Sequence, residues 1–262
     1  MAELAVFIDV TRCTGCRGCQ VACKQWNGLP AVATGFSGSY ENPPRIGGNT
    51  WTKVRFFEKE ADGKPGFLFR KTQCMHCTEA SCIAVCAAGA ISRNAWGAVI
   101  IDQNRCVGCK NCVVACPFHA VGFSEETGTS RKCGMCYDRV ENGMEPACVK
   151  ACPTDAIKIG DREQMLAKAK GKVGFLRGKG VNAQVYGEKE LSGLHVIYVL
   201  DDKPEIYGLP KDPQVATANL LSNWLHALAG VAVLAIAPFW LIFGDRSKSV
   251  TKSPGTGVDE NA

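Results

Sequence analysis

Sixteen cysteines in four sets of four constrain this 262-residue chain more than any other feature. Cys13, Cys16, Cys19 and Cys23 are spaced C-x2-C-x2-C-x3-C, and Cys106, Cys109, Cys112 and Cys116 repeat that spacing with Pro117 behind them. Cys74, Cys77, Cys82 and Cys86 form a C-x2-C-x4-C-x3-C variant. Cys133, Cys136, Cys148 and Cys152 keep the opening CxxC and the closing CxxxC, with eleven residues between the two pairs. Framework disulfides rarely crowd three cysteines into seven residues, and Met1-Ala2-Glu3 does not read as the opening of a signal peptide into an oxidising compartment.

The two compact sets match the run with which bacterial ferredoxins hold 4Fe-4S clusters. Three thiolates on a tight loop can wrap three irons of one cube, while the fourth, a turn further on, points to a neighbouring cube, so clusters come in pairs. Zinc is the competing ligand reading, and it gives a metal-stabilised membrane scaffold as the alternative function. Zinc, however, wants two separated CxxC pairs, not four cysteines inside eleven residues with Gly15 or Gly108 in the loop. The expectation is four 4Fe-4S clusters held by sixteen cysteines. Order along the chain favours nested pairing, sets two and three in one module with sets one and four around it. That groups Cys13, Cys16, Cys19 with Cys152; Cys74, Cys77, Cys82 with Cys116; Cys86 with Cys106, Cys109, Cys112; and Cys23 with Cys133, Cys136, Cys148. Sequential pairing, one with two and three with four, also fits the spacing.

Cluster binding reverses the sign of the chain. Four thiolates around an oxidised core leave about minus 2 per cluster, so the formal charge of +5 becomes about minus 3, and the mild basicity gives no reason to expect nucleic acid. Arg12, Lys24, Arg105, Lys110, Arg131 and Lys132 flank the cysteine sets and are expected to offset cluster charge. His76 and His119 sit in or beside the sets, where packing competes with hydrogen bonding to a cluster as their role. No nucleophile elbow, phosphate loop or HExxH pattern is present, so the chain reads as non-catalytic.

Residues 5–23 align without a gap on residues 98–116, with 12 of 19 positions identical, each copy running a short apolar strand into an Asp, a turn and the first cysteine. After the last cysteine of sets two, three and four the chain again returns to a short strand. Residues 24–50 read as an irregular insertion packed on a partner, 51–59 and 67–72 as a hairpin, 162–172 as a surface helix and 194–200 as a strand. From Gln214 to Gly244 there is no charged residue, and Trp224 to Phe243 is long enough, at 1.5 Å per residue, to cross the roughly 30 Å of a bilayer. Trp224 and Trp240 suit interfacial positions, and His226 could face a haem or quinone. Arg246, Lys248 and Lys252 follow the helix, against Lys203 and Lys211 among four acids before it, which favours a cytoplasmic C-terminus and a periplasmic cluster domain.

With CRGCQVACKQWNGLP at 16–30, QCMHCTEASC at 73–82, RKCGMCYDRV at 131–140 and YGLPKDPQV at 207–215 leading into one helix, the chain resembles the iron-sulfur (beta) subunits of membrane-bound respiratory formate dehydrogenases. Related four-cluster subunits serve hydrogenases and other molybdoenzyme reductases, and these are the alternative function. The resemblance implies an α+β fold of two duplicated, nested ferredoxin-like modules: an outer one from 1–35 and 126–165 and an inner one from 72–125. Added to these are the insertion and hairpin at 36–71, an extension at 166–213, a transmembrane helix at 214–244 and a cytoplasmic tail at 245–262. It implies nested pairing, with electrons arriving at the Cys13, Cys16, Cys19, Cys152 site and leaving by its neighbour in the same module. It further implies a molybdenum- or tungsten-bis-pterin catalytic subunit, a membrane cytochrome b and membrane lipid as partners, a single pass through the inner membrane, and export with the signal-bearing catalytic subunit.

Overall fold

The computed structural model describes residues 2–61 and 64–243. In chain order, β1 (Leu4–Asp9) leads to α1 (Gly18–Trp26), and β2 (Lys53–Ala61) and β3 (Lys64–Thr72) form the expected hairpin. Next come α2 (Ser81–Ala84), β4 (Ile91–Arg93), β5 (Val99–Ile101), α3 (Asn111–Ala115), β6 (Gly122–Ser124) and β7 (Thr129–Arg131). The remainder is α4 (Tyr137–Glu141), α5 (Ala147–Lys150), β8 (Ile157–Asp161), α6 (Arg162–Gly178), β9 (Gln184–Tyr186), β10 (Val196–Leu200) and α7 (Leu220–Phe243). Residues up to 217 form one unit, and those from 218 a second.

The internal repeat has a physical basis in its shared Asp. At the end of β1 the Asp9 carboxylate accepts hydrogen bonds from the Thr11 amide (3.0 Å) and hydroxyl (2.6 Å), turning the chain toward Cys13. In the second copy the Asp102 carboxylate accepts from the Asn104 amide at 2.9 Å ahead of Cys106. The expected returns to strand are β4, β6 and β8, and β4–β5 and β6–β7 pair as small antiparallel ladders.

A four-stranded sheet of order β8-β1-β10-β9 backs the outer cysteine sets, with β1 antiparallel to β8 and parallel to β10. Strand alternation divides its residues between two layers. Ala5, Phe7, Ile197 and Val199 pack under Ala169, Val173 and Leu176 of α6, while Val6, Ile8, Val196 and Tyr198 face a core that contains Cys19 and Cys148. The segment 166–213 is therefore more than an appendage, because β10 is buried along its whole length between β1 and β9. Helix α6 also runs six residues past the expected 172. Val173 and Leu176 are buried against the sheet, and that packing overrides the low helix propensity of Gly171 and Gly174.

Helix α7 starts at Leu220, not 214, contains Pro238 and has no charged residue in its first or last turn. Among the described residues no helix is long and apolar enough to cross a membrane. The expected tail at 245–262 lies outside the described residues.

The insertion is seated by glycine. A Cβ on Gly122 of β6 would collide with the Gly47 carbonyl group, and one on Gly48 with the Phe123 backbone. Gly122→Ala is expected to cost about 1–3 kcal/mol by overpacking against backbone, read as a lower thermal midpoint. An unchanged midpoint would refute this close approach.

Candidate metal centres

Backbone of unusual hand shapes every cysteine loop. Gly15 (φ 69°) and Arg17 (φ 62°) in set one correspond to Gly108 (φ 70°) and Lys110 (φ 62°) in set three, and His76 (φ 49°) and Met135 (φ 62°) occupy the CxxC loops of sets two and four. The third residue past the closing cysteine is left-handed in three sets: Gly89 (φ 58°), His119 (φ 50°) and Asp155 (φ 54°). For a residue with a Cβ such a conformation costs of order 1–3 kcal/mol, so the surroundings must enforce it. The result is amides turned toward sulfur. The Ala120 N–H donates to Cys116 Sγ and the Met135 N–H to Cys133 Sγ, each at 3.4 Å.

Three small cavities are each lined by four cysteines. One holds Cys74, Cys77, Cys82 and Cys116; the second Cys86, Cys106, Cys109 and Cys112; the third Cys23, Cys133, Cys136 and Cys148. Each takes three cysteines from one set and one from another. The remaining four are electrostatic neighbours. Burial pushes the Cys13 thiol up, the Gly15 amide opposes this, and Cys152 and Cys16 add to the rise; Cys19 responds to Cys13 and Cys16 as well. Adjacent groups also act on one another, since Cys148 raises Cys19, Cys74 raises Cys133, and Cys112 raises Cys82.

The donor chemistry fits iron-sulfur cubes. All sixteen thiols are free of disulfides, and burial pushes those of Cys19, Cys82 and Cys133 up to about 12. Such thiols become thiolates only when a cationic core binds them. A zinc ion would draw its sulfurs to about 2.3 Å from one point. Here four thiols line each of three cavities, and among the described residues no three His, Cys, Asp or Glu converge on a single metal position.

The expected accessory residues divide. Lys132 is buried, its ammonium donating to the carbonyls of Val99 and Cys133, and it acts on Cys82 and Cys116. Lys24 is tied to the carbonyls of Pro30 and Asn49, Arg105 to that of Ala88, and Lys110 to Glu125. His76 is fully buried, and burial holds its pKa well below the ordinary value; Nδ1 accepts from the Val99 amide at 2.9 Å, which joins the set-two loop to β5. His119 lines a different pocket, together with Arg45, Arg55 and Arg70, and His226 is exposed on α7. Lys71, on β3, was not anticipated, because it stands in the hairpin outside every cysteine set. Only its place in an otherwise strand-like run next to Gln73-Cys74 could have marked it.

Two matches to a 4Fe-4S dicluster domain cover residues 12–90 and 66–162. The iron-sulfur subunit of the nitrate-inducible formate dehydrogenase of Escherichia coli K12 is 43% identical over 236 residues, 88% of this chain and 80% of that protein. The formate dehydrogenase iron-sulfur subunit of Haemophilus influenzae is 42% identical over 89% of this chain and 76% of its own length. The formate dehydrogenase subunit beta of Megalodesulfovibrio gigas is 36% identical over 77% of this chain and 95% of its own length. Identity of 36–43% across 77–89% of this chain and most of each relative means that this chain belongs to the family of formate dehydrogenase iron-sulfur subunits.

Proposed function

We propose that this chain is the non-catalytic electron carrier of a membrane-bound formate dehydrogenase, placed between a molybdenum- or tungsten-bis-pterin catalytic subunit and a membrane cytochrome b that serves quinone. The observation that carries the reading is the union of distant cysteine sets around shared cavities, Cys116 with Cys74, Cys77 and Cys82 above all. When bound, each 4Fe-4S cluster takes up and releases a single electron.

The ligand sets follow the cavities. Cys74, Cys77, Cys82 and Cys116, with Cys86, Cys106, Cys109 and Cys112, would hold the inner pair within 72–125. Cys13, Cys16, Cys19 and Cys152, with Cys23, Cys133, Cys136 and Cys148, would hold the outer pair within 1–35 and 126–165. Cysteine lining supports nesting over sequential pairing, since Cys86 joins set three and Cys23 joins set four. The neighbour relations support a series that begins at the Cys13 site, passes the Cys23 and Cys74 sites and ends at the Cys86 site. In that series the Cys23 site, the expected exit, lies between the Cys13 and Cys74 sites.

The membrane reading rests on α7. Leu225, Leu228, Val231, Leu234 and Ile236 are all more than half exposed, and a helix apolar on every face requires lipid or other helices around it. Together with the charge-free run from 214 to 244 and the cations behind it, this supports a single pass through the inner membrane, clusters on the periplasmic side and C-terminus in the cytoplasm.

Two outcomes are expected. Cys116→Ser should quench the same electron paramagnetic resonance (EPR) signal as Cys82→Ser; loss of the signal quenched by Cys136→Ser instead would establish sequential pairing. A chain ended after Thr217 should keep about sixteen irons yet leave the membrane fraction when no cytochrome b is present. Retention of the shortened chain in that fraction would refute anchoring by α7.

A further inference from the structure

Lys71 is 1% exposed on β3, opposite Val54 in the hairpin ladder. Its carbonyl accepts a 2.6 Å hydrogen bond from the buried Tyr198 hydroxyl, which ties β3 to β10 at this point. Its ammonium is buried and makes no hydrogen bond. The side chain lines the cavity of Cys23, Cys133, Cys136 and Cys148, and it also lies within electrostatic reach of Cys19 in the adjoining group. Lys132 differs on each point: two carbonyls hold its ammonium, and it acts on Cys82 and Cys116.

An unpaired buried ammonium is strongly unfavourable unless opposite charge stands beside it. The opposite charge around Lys71 is sulfur, from two different cysteine groups. We propose that Lys71 is the shared counter-cation of the two outer-module clusters, making each easier to reduce than a neutral side chain would. The inference rests on the ligand sets proposed above. A positive charge that stays in place while an electron arrives stabilises the reduced form, and low surrounding polarity preserves the effect over several ångströms. No proton or bond changes hands; only the equilibrium of electron uptake shifts.

The test is EPR-monitored redox titration of the intact complex carrying Lys71→Met, which keeps the length and removes the charge. About sixteen irons per chain and four separable signals establish the four clusters independently of Lys71, and the Cys116→Ser and Cys82→Ser comparison establishes their ligand sets. Given these, two of the four signals are expected to fall in reduction equilibrium by about tenfold each, 59 mV for one electron, while the other two move less. Four unshifted signals, or an equal shift of all four, would overturn the proposal. If the variant loses iron, the unaltered protein labelled with 15N-lysine decides: a nitrogen hyperfine coupling on the outer-module clusters supports the assignment, and its absence from both overturns it.

Discussion

The structure depends on holding sixteen sulfur ligands in one small interior at the spacing of multi-iron bodies. Thiols buried as deeply as Cys23, Cys77 and Cys133 resist ionisation, because a thiolate loses its hydration there and meets other thiolates across each cavity. Cationic iron-sulfide cores relieve both penalties at once. Folding and cluster binding are therefore coupled, as for other metal-stabilised domains. The protein's contribution is geometric: left-handed residues at Arg17, Lys110, His76 and Met135 bend the loops, and amides such as that of Ala120 are aimed at sulfur.

Very little regular structure is needed around such sites. Most elements between residues 72 and 131 are three to five residues long, enough to carry a cysteine to a cavity wall and return. A firmer support stands behind the first and fourth cysteine sets, where the sheet β8-β1-β10-β9 joins strands from distant parts of the chain. Helix α6 covers the outer face, and the inner face carries Val6, Ile8 and Tyr198 toward Cys19 and Cys148. Closure of the sheet and placement of the outer cysteines are thus one event.

Charge compensation is the second layer. The lysines and arginines beside the cysteine sets that have a partner are occupied by backbone carbonyls or by a surface carboxylate. Lys71 and Lys132 are different because they are buried, where one charge acts on sulfur with little screening. His119, next to Cys116-Pro117-Phe118 in sequence, lines a basic pocket with Arg45, Arg55 and Arg70.

Much of this was legible in the amino-acid order, because the information is local. Cysteine spacing specifies iron-sulfur loops, Asp9 and Asp102 specify the turns, and the alternating run before Gln73 specifies a hairpin. The pairing of sets remained open, since nested and sequential solutions use the same loops, and the overlap of domain matches at 66–90 would not separate them. Helix α6 runs past the expected 172 because Val173 and Leu176 bury against the sheet, a contact that local sequence does not show. What the sequence alone determined is the identity and number of the ligands and the loops that present them. What only the tertiary structure decided is which distant cysteine closes each cavity, where β10 inserts, and that a hairpin lysine enters the space between two cysteine groups. These are contacts between residues tens of positions apart, set by packing of whole elements and not by neighbours along the chain.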